Sequence, residues 1–332
     1  MICASGQMAG MNGSRNMNAR VTGLRGLEFA VFDLDESAAF YKKAWALEEV
    51  SRSEGKLYMR GAGKEHHILT LHEKPRAGLV AVNFAAPDRY AVDALHARAK
   101  AMACDVVSAP HAISKEAGGG YGFEVKTPEG HLLRISNDVM SHDKALGDEG
   151  RPTVLNHVVL NSADQETQMR FFFDVLGFKF SDCNGFMNFI RCSANHHAIA
   201  FAQSQGPSFN HAAFEMTNVQ SLMEGVGRMR MADQEVGWGV GKHAGPGRNV
   251  FAYFVDPNGF TIEYTTDVEQ VDDSYESHGG DYWTSLPLKP CAWAGDKTVP
   301  KDWLRYAMSG KDIEDRNAKC DDVISKKQFA AE

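Results

Sequence analysis

Apolar residues fall in short runs that alternate with polar segments, and the order of these runs predicts a repeated strand–helix–strand pattern. The first run begins near Val21. Residues 27–34 (LEFAVFDL) read as a strand rich in β-formers, and Asp35 is placed as the N-cap of a helix over 36–47. Strands are expected at 56–60 and 66–71. A second unit opens with a strand at 79–85 (LVAVNFA), followed by a helix from Asp88 to about residue 102, and by strands at 121–126 and 132–136 around the turn Thr127-Pro128-Glu129-Gly130. The order is βαβββ, twice. A polar stretch with Gly and Pro over 141–152 reads as a linker, after which the pattern restarts. Strands are expected at 155–160, 186–191, 198–202, 211–216, 251–255 and 261–265, and helices at 166–176 and 219–231. Phe171, Phe172 and Phe173 form a core stripe on the first of these helices.

The restart is a repeat in sequence as well as in pattern. Leu27-Glu28-Phe29 aligns with Leu155-Asn156-His157, and Phe40-Tyr41 with Phe171-Phe172. Asn83-Phe84 aligns with Ala213-Phe214, and Pro128-Glu129-Gly130 with Pro257-Asn258-Gly259. The offset between partners stays near 130 residues, as it does in a duplicated domain. The fold class expected is α+β: two homologous domains, each a tandem pair of βαβββ modules curling a mixed sheet around a central cavity. Residues 1–22 read as a disordered leader, 23–139 as the first domain, 140–152 as the linker, 153–270 as the second domain and 271–332 as a C-terminal extension. In that extension 272–300 reads as an extended arm carrying tryptophans, 301–308 as a short helix and the last twenty residues as mobile.

Composition narrows the function classes. The 332 residues are 43% hydrophobic and 23% charged, which is ordinary globular usage, and no apolar run is long enough for a membrane span. A formal charge of −8 argues against nucleic acid as a partner, because phosphate binding is mostly cationic. The six cysteines, Cys3, Cys104, Cys183, Cys192, Cys291 and Cys320, are scattered and read as free thiols in the cytoplasm. His66, His67, His72 and His131 read as structural or surface residues, Glu28 and Glu124 as edge charges, and Gly118–Gly120 as a loop without the context of a phosphate cradle.

Repeat-equivalent positions carry the chemistry. The alignment sets Phe29 against His157, Ala81 against His211, and Arg134 against Glu263. Two histidines and a carboxylate thus occur on predicted strands of the second copy only, with Phe29 filling the place of His157 in the first. Two His and one carboxylate with positions left open is the facial triad that suits non-haem Fe(II). A single buried histidine is ordinarily a hydrogen-bonded core residue; three such residues together at three equivalent places favour a metal.

The second half resembles the type I extradiol ring-cleaving dioxygenases of the vicinal oxygen chelate superfamily (glyoxalase, bleomycin resistance and catechol 2,3-dioxygenase-like proteins). The pieces are Leu155-Asn156-His157-Val158-Val159, Asn195-His196-His197-Ala198-Ile199-Ala200-Phe201, Asn210-His211-Ala212, Gly241-Lys242-His243 and the run from Tyr253 to Tyr264. The resemblance implies His157, His211 and Glu263 as ligands to Fe(II), with Mn(II) as the other metal that set could hold. It implies His197 as catalytic acid–base, and His243 and Tyr253 as polar residues facing substrate. The segment Ala244-Gly245-Pro246-Gly247-Arg248-Asn249 departs from the family pattern. A catechol-type substrate, O2 and a homo-oligomeric state are expected on the same basis. The alternatives on this fold are a glyoxalase-like metal-dependent lyase or isomerase, which consumes no oxygen, and a metal-free small-molecule binding protein.

Overall fold

A computed structural model describes residues 19–53, 55–147 and 150–315. The first half runs β1 (Gly23–Val31), α1 (Leu34–Lys43), β2 (Glu48–Ser53), β3 (Lys56–Arg60), β4 (Leu69–Glu73), β5 (Gly78–Ala85), α2 (Arg89–Ala101), β6 (Val106–Ala112), β7 (Tyr121–Lys126) and β8 (Leu132–Asn137). The second runs β9 (Leu155–Ser162), α3 (Gln165–Asp174), β10 (Lys179–Cys183), β11 (Met187–Arg191), β12 (Ile199–Gln203), β13 (Ser208–Glu215), α4 (Val219–Met231), β14 (Trp238–Lys242), β15 (Val250–Val255) and β16 (Thr261–Thr266). Two short helices, α5 (Gly280–Ser285) and α6 (Asp302–Met308), follow.

Each half builds one open eight-stranded mixed sheet. The orders are β2-β3-β4-β1-β5-β8-β7-β6 and β10-β11-β12-β9-β13-β16-β15-β14, so the two sheets have the same topology. The first strands of the two modules pair antiparallel at the centre (β1 with β5, β9 with β13), and each pairs parallel with the last strand of its module. The helices start on side-chain caps: Asp33, Asp88, Asp164 and Asn218 each accept a backbone N–H of the first turn. Asp33, two residues before the expected Asp35, begins α1.

The halves share one core. Phe29 of β1 is fully buried, stacks on Phe260 at 3.9 Å between ring centroids and meets Phe209 edge-on. Trp45 stacks on Tyr264 at 3.8 Å, and the Tyr41 hydroxyl donates to Asp256 Oδ2 at 3.0 Å. Phe29 therefore points between the halves, not into a cavity of its own sheet. Truncation to alanine leaves a void that neighbours from two sheets must fill, and Phe29→Ala is expected to cost about 3–5 kcal/mol, read as a lower denaturant midpoint at unchanged m-value.

Several expectations are corrected here. Ala19 and Val21, placed in the leader, are buried, and the Val21 N–H donates to Leu176 of the other half at 2.9 Å. Residues 1–18 of that leader and most of the tail read as mobile lie outside the described residues. The extended arm contains α5, whose Trp283 is buried. Cys104, Cys192 and Cys291 are free thiols, but Cys183 is disulfide-bonded, against the reading of six free thiols; spacing along the chain does not report distance in space. Among the described residues no helix is long and apolar enough to cross a membrane.

Candidate metal centre

Alternation on β9 and β13 turns His157, Val159 and His211 to the concave face of the second sheet, and register sets Ala213 beside both His157 and Glu263. The Nε2 atoms of His157 and His211 lie 3.4 and 3.3 Å from Glu263 Oε2, and all three residues are buried. One ligand atom from each falls within 4.8 Å of the others, and no other such group of three occurs among the described residues.

Each imidazole is fixed by the asparagine before it. His157 Nδ1 lies 2.8 Å from Asn156 Oδ1, and His211 Nδ1 lies 2.7 Å from Asn210 Oδ1. The Asn156 amide in turn donates to Glu215 and that of Asn210 to Asn161, which orients both oxygens toward the rings. An amide oxygen only accepts, so each Nδ1 carries the proton and each Nε2 presents a lone pair. Glu263 Oε1 accepts from Asn249 at 3.1 Å, while Oε2 has no hydrogen-bond partner. Three buried acceptors thus converge with no hydrogen between them. That arrangement fits a divalent cation and is costly without one. The Asn-His dipeptide occurs at both histidines and is the sequence signal for this support, which residue-type reasoning about the ligands passed over. Asn210→Leu is expected to weaken metal binding about 10–100-fold, measured by chelator competition.

A cavity of about 510 Å³ opens above this trio, lined by His197, His243 and Tyr253 as well as His157 and His211. All six residues singled out in the sequence therefore gather at one place, with Glu263 behind the cavity wall. The ring of His197 is 4.3 Å from that of His157. His243 Nε2 lies 3.2 Å from the Tyr253 hydroxyl. Burial pushes His243 down to about 4, so it is neutral at pH 7; burial and the nearby Glu263 push the Tyr253 hydroxyl well above its ordinary range, so it keeps its proton. The segment 244–249 closes over His197. Gly247 adopts φ +80°, and a Cβ there would sit 3.0 Å from His197 Cε1.

Behind His197 runs a buried chain of polar groups that the sequence did not reveal. His197 Nδ1 lies 3.1 Å from His196 Nδ1, and His196 Nε2 lies 2.8 Å from Asp182 Oδ2. Asp182 also accepts from the Tyr275 hydroxyl at 2.8 Å and from the His278 N–H at 2.7 Å. His196 and Asp182 are fully buried. The carboxylate accepts, so His196 Nε2 carries a proton and its Nδ1 is bare. His197 Nδ1 must then carry a proton, which leaves His197 Nε2 as a lone pair. The C-terminal extension roofs the same cavity with Trp283, Leu288 and Pro290.

In the first half the counterparts differ from the sequence alignment. Across the sheet, Arg134–Asn83–Gly26 stands where Glu263–Ala213–His157 stands in the second. Gly26, not Phe29, is thus the counterpart of His157. Ala81 replaces His211, so no metal set is present there. Glu28, read as an edge charge, is 3% exposed.

The family model of the Glyoxalase/Bleomycin resistance protein/Dioxygenase superfamily matches residues 154–264. A Mn(II)-bound glyoxalase from Novosphingobium aromaticivorans is similar in structure, with 36% identity, a TM-score of 0.78, and coverage of 86% of this chain and 94% of that one. Metapyrocatechase 2 from Cupriavidus necator is 30% identical over 157 residues, 46% of this chain and 48% of its own length. Homoprotocatechuate 2,3-dioxygenase from Brevibacterium fuscum shares the fold at 20% identity, with a TM-score of 0.74 over 87% of this chain and 93% of that one. The chain spans about half the length of the curated relatives it matches first.

Proposed function

Because the chain belongs to the Glyoxalase/Bleomycin resistance protein/Dioxygenase superfamily, we propose that it is an extradiol dioxygenase, opening the ring of a catechol-type substrate with O2 beside the vicinal diol, as catechol 2,3-type enzymes do. His157, His211 and Glu263 would hold Fe(II), with Mn(II) compatible with the same donors. Such a metal supplies a Lewis acid for the two vicinal oxygens and an electron path between ring and O2. The observation that carries the reading is the disposition of proton-handling groups around a facial set: His197 on one side, His243 and Tyr253 on the other.

The roles of these groups follow from their protonation. Tyr253 keeps its proton and can donate to a diol oxygen, while neutral His243 can accept one. The bare Nε2 of His197 is a base for the diol. Burial and the neighbouring imidazoles hold the His197 pKa well below its ordinary value, so a proton taken up there is readily given to an oxygen that becomes more basic as the ring opens. The aromatic wall of Phe189 and Trp238 and the roof from the C-terminal extension would keep water from the reacting ring. A cytoplasmic homo-oligomer is part of the same proposal.

The Novosphingobium relative favours a second reading, a metal-dependent glyoxalase-like isomerase. Proton shuttling between carbons could use His197 or His243, yet no carboxylate lines the cavity to serve as a base. A metal-free binding protein would leave three buried acceptors facing one another. The test is oxygen uptake by the Fe(II)-loaded chain with a panel of catechols. The expectation is one O2 consumed per ring opened, seen as a new absorbance of the dienol product. Stoichiometric Fe(II) with no oxygen consumed across the panel overturns the dioxygenase, and turnover of an α-oxoaldehyde thiol adduct without O2 would establish the isomerase.

A further inference from the structure

His211 stands at one end of a buried chain of amides whose other end is the C-terminal helix α6. His211 Nδ1 lies 2.7 Å from Asn210 Oδ1, and Asn210 Nδ2 donates to Asn161 Oδ1 at 2.8 Å. Asn161 Nδ2 donates in turn to the Met308 carbonyl at 2.9 Å and to Ser208 Oγ at 2.8 Å, and Ser208 Oγ donates to the Ser309 carbonyl at 3.3 Å. Asn161 and Asn210 are buried. Met308 and Ser309 end α6, where carbonyls lack partners further along the helix. The segment is seated for this contact. Leu304 and Ala307 are buried, and Gly310 adopts φ +80° so close to β13 that a Cβ there would lie 2.7 Å from Ser208 Cβ.

A backbone carbonyl only accepts, so the Met308 carbonyl fixes which way the chain runs. Asn161 must present its NH2 to that carbonyl and its oxygen to Asn210. Asn210 must then present its NH2 to Asn161 and its oxygen to His211. Ser208 cannot set this direction, because a hydroxyl both donates and accepts. Were both amides turned over, Asn210 would donate to His211 Nδ1, and the ring would carry its proton on Nε2, the atom that faces Glu263. In the first half the corresponding positions are apolar or bare. Cross-strand pairing sets Ala30 beside Gly78 where the second half sets Asn161 beside Ser208, and Val80 stands at the place of Asn210. The polar chain thus accompanies the half that has the metal set.

We propose that Asn161 is a positioning residue of the metal centre and that α6 is part of that centre through it. The Met308 carbonyl orients Asn161, Asn161 orients Asn210, and Asn210 holds His211 in the tautomer whose Nε2 can bind a metal. The helix that lines the cavity through Met308 therefore also sets the affinity for metal, and by linkage the metal steadies the helix. The proposal rests on His157, His211 and Glu263 as the metal set and not on the reaction carried out there.

The test is the Mn(II) affinity of the full-length chain, measured by chelator competition, which requires no turnover. Asn161→Leu is expected to weaken binding by about tenfold or more, as loss of a residue supporting a ligand does. Gly310→Val lifts the end of α6 from Ser208 and leaves both amides in place; it is expected to weaken binding by about tenfold as well. The double variant should bind within about threefold of the weaker single one, because both changes act on one chain. Asn161→Asp separates positioning from packing. Its carboxylate accepts from Asn210 whichever way it is turned and needs no carbonyl to orient it. Affinity is therefore expected to stay within about threefold of wild type, alone and together with Gly310→Val. Were packing the only role of Asn161, a carboxylate set against a carbonyl would do no better than leucine. Unchanged affinity in Asn161→Leu, losses that multiply in the double variant, or Asn161→Asp binding as weakly as Asn161→Leu would each overturn the proposal. A wild-type chain that takes up no Mn(II) would remove the metal set itself, and the proposal with it.

Discussion

Replacing Glu263 by alanine is expected to reduce bound Fe(II) from one per chain to near zero and to lower ring-opening turnover by about a thousandfold or more, beyond the 10–100-fold that loss of a supporting residue produces. Glu263 supplies the only anion among the three donors. Without it, two neutral imidazoles would have to hold a dication in a buried site, and its desolvation would go uncompensated. The effect on stability should separate from the effect on activity. Wild type gains Tm when Fe(II) is added, because only the folded state assembles the donors. Glu263→Ala should lose that gain while its metal-free Tm stays near that of metal-free wild type, since Oε2 had no hydrogen-bond partner and Asn249, released by Oε1, keeps its bond to Thr265. Metal analysis and paired thermal melts check both. Full metal occupancy in Glu263→Ala would remove Glu263 from the ligand set. Retained Fe(II)-dependent stabilisation would do the same.

What the sequence made legible, and what it hid, follows from where residues sit in the sheets. The central strands carry continuous apolar runs because both faces are covered, and each was placed within a few residues. The four strands that went unnamed, β2, β6, β10 and β14, are the four edges of the two sheets. An edge strand such as EEVSRS in β2 is largely polar and exposed, so no apolar period marks it. The ligands were legible because a duplicated fold supplies its own control: the same position carries a coordinating side chain in one half and not in the other. The same control failed by three residues at Phe29. Leu27-Glu28-Phe29 was matched on its local sequence at an offset of 128, whereas cross-strand pairing sets Gly26 against His157 at an offset of 131, and the pairing partners that reveal this are far apart in the chain. Glu28 was misread for a related reason. Its partners His72 and Arg134 are 44 and 106 residues away, so nothing local identified it as buried and paired. The polar chain behind His197 was hidden in the same way, since Asp182 and Tyr275 meet His196 only through the fold.

That buried chain yields the second large effect. Asp182→Asn is expected to lower kcat by about 10²–10⁴-fold, close to the loss caused by His197→Ala, while anaerobic catechol binding changes little. In wild type the carboxylate fixes the proton on His196 Nε2, which fixes the proton of His197 on Nδ1 and leaves Nε2 bare toward the cavity. An asparagine can turn its NH2 toward His196 Nε2. His196 would then carry its proton on Nδ1, His197 Nδ1 would have to accept, and the proton of His197 would move to Nε2. The base that faces the diol is then blocked, although no atom in the cavity has been removed. If Asp182 acts through His197 alone, the double variant should be no slower than His197→Ala, a fully non-additive cycle. Tyr275→Phe separates this from a loosened C-terminal segment: it deletes the hydroxyl that Asp182 holds at 2.8 Å and leaves the two histidines in place, so its kcat should remain near wild type. Turnover of Asp182→Asn within about threefold of wild type, a difference below 1 kcal/mol in barrier, would show that His197 does not depend on this carboxylate for its tautomer.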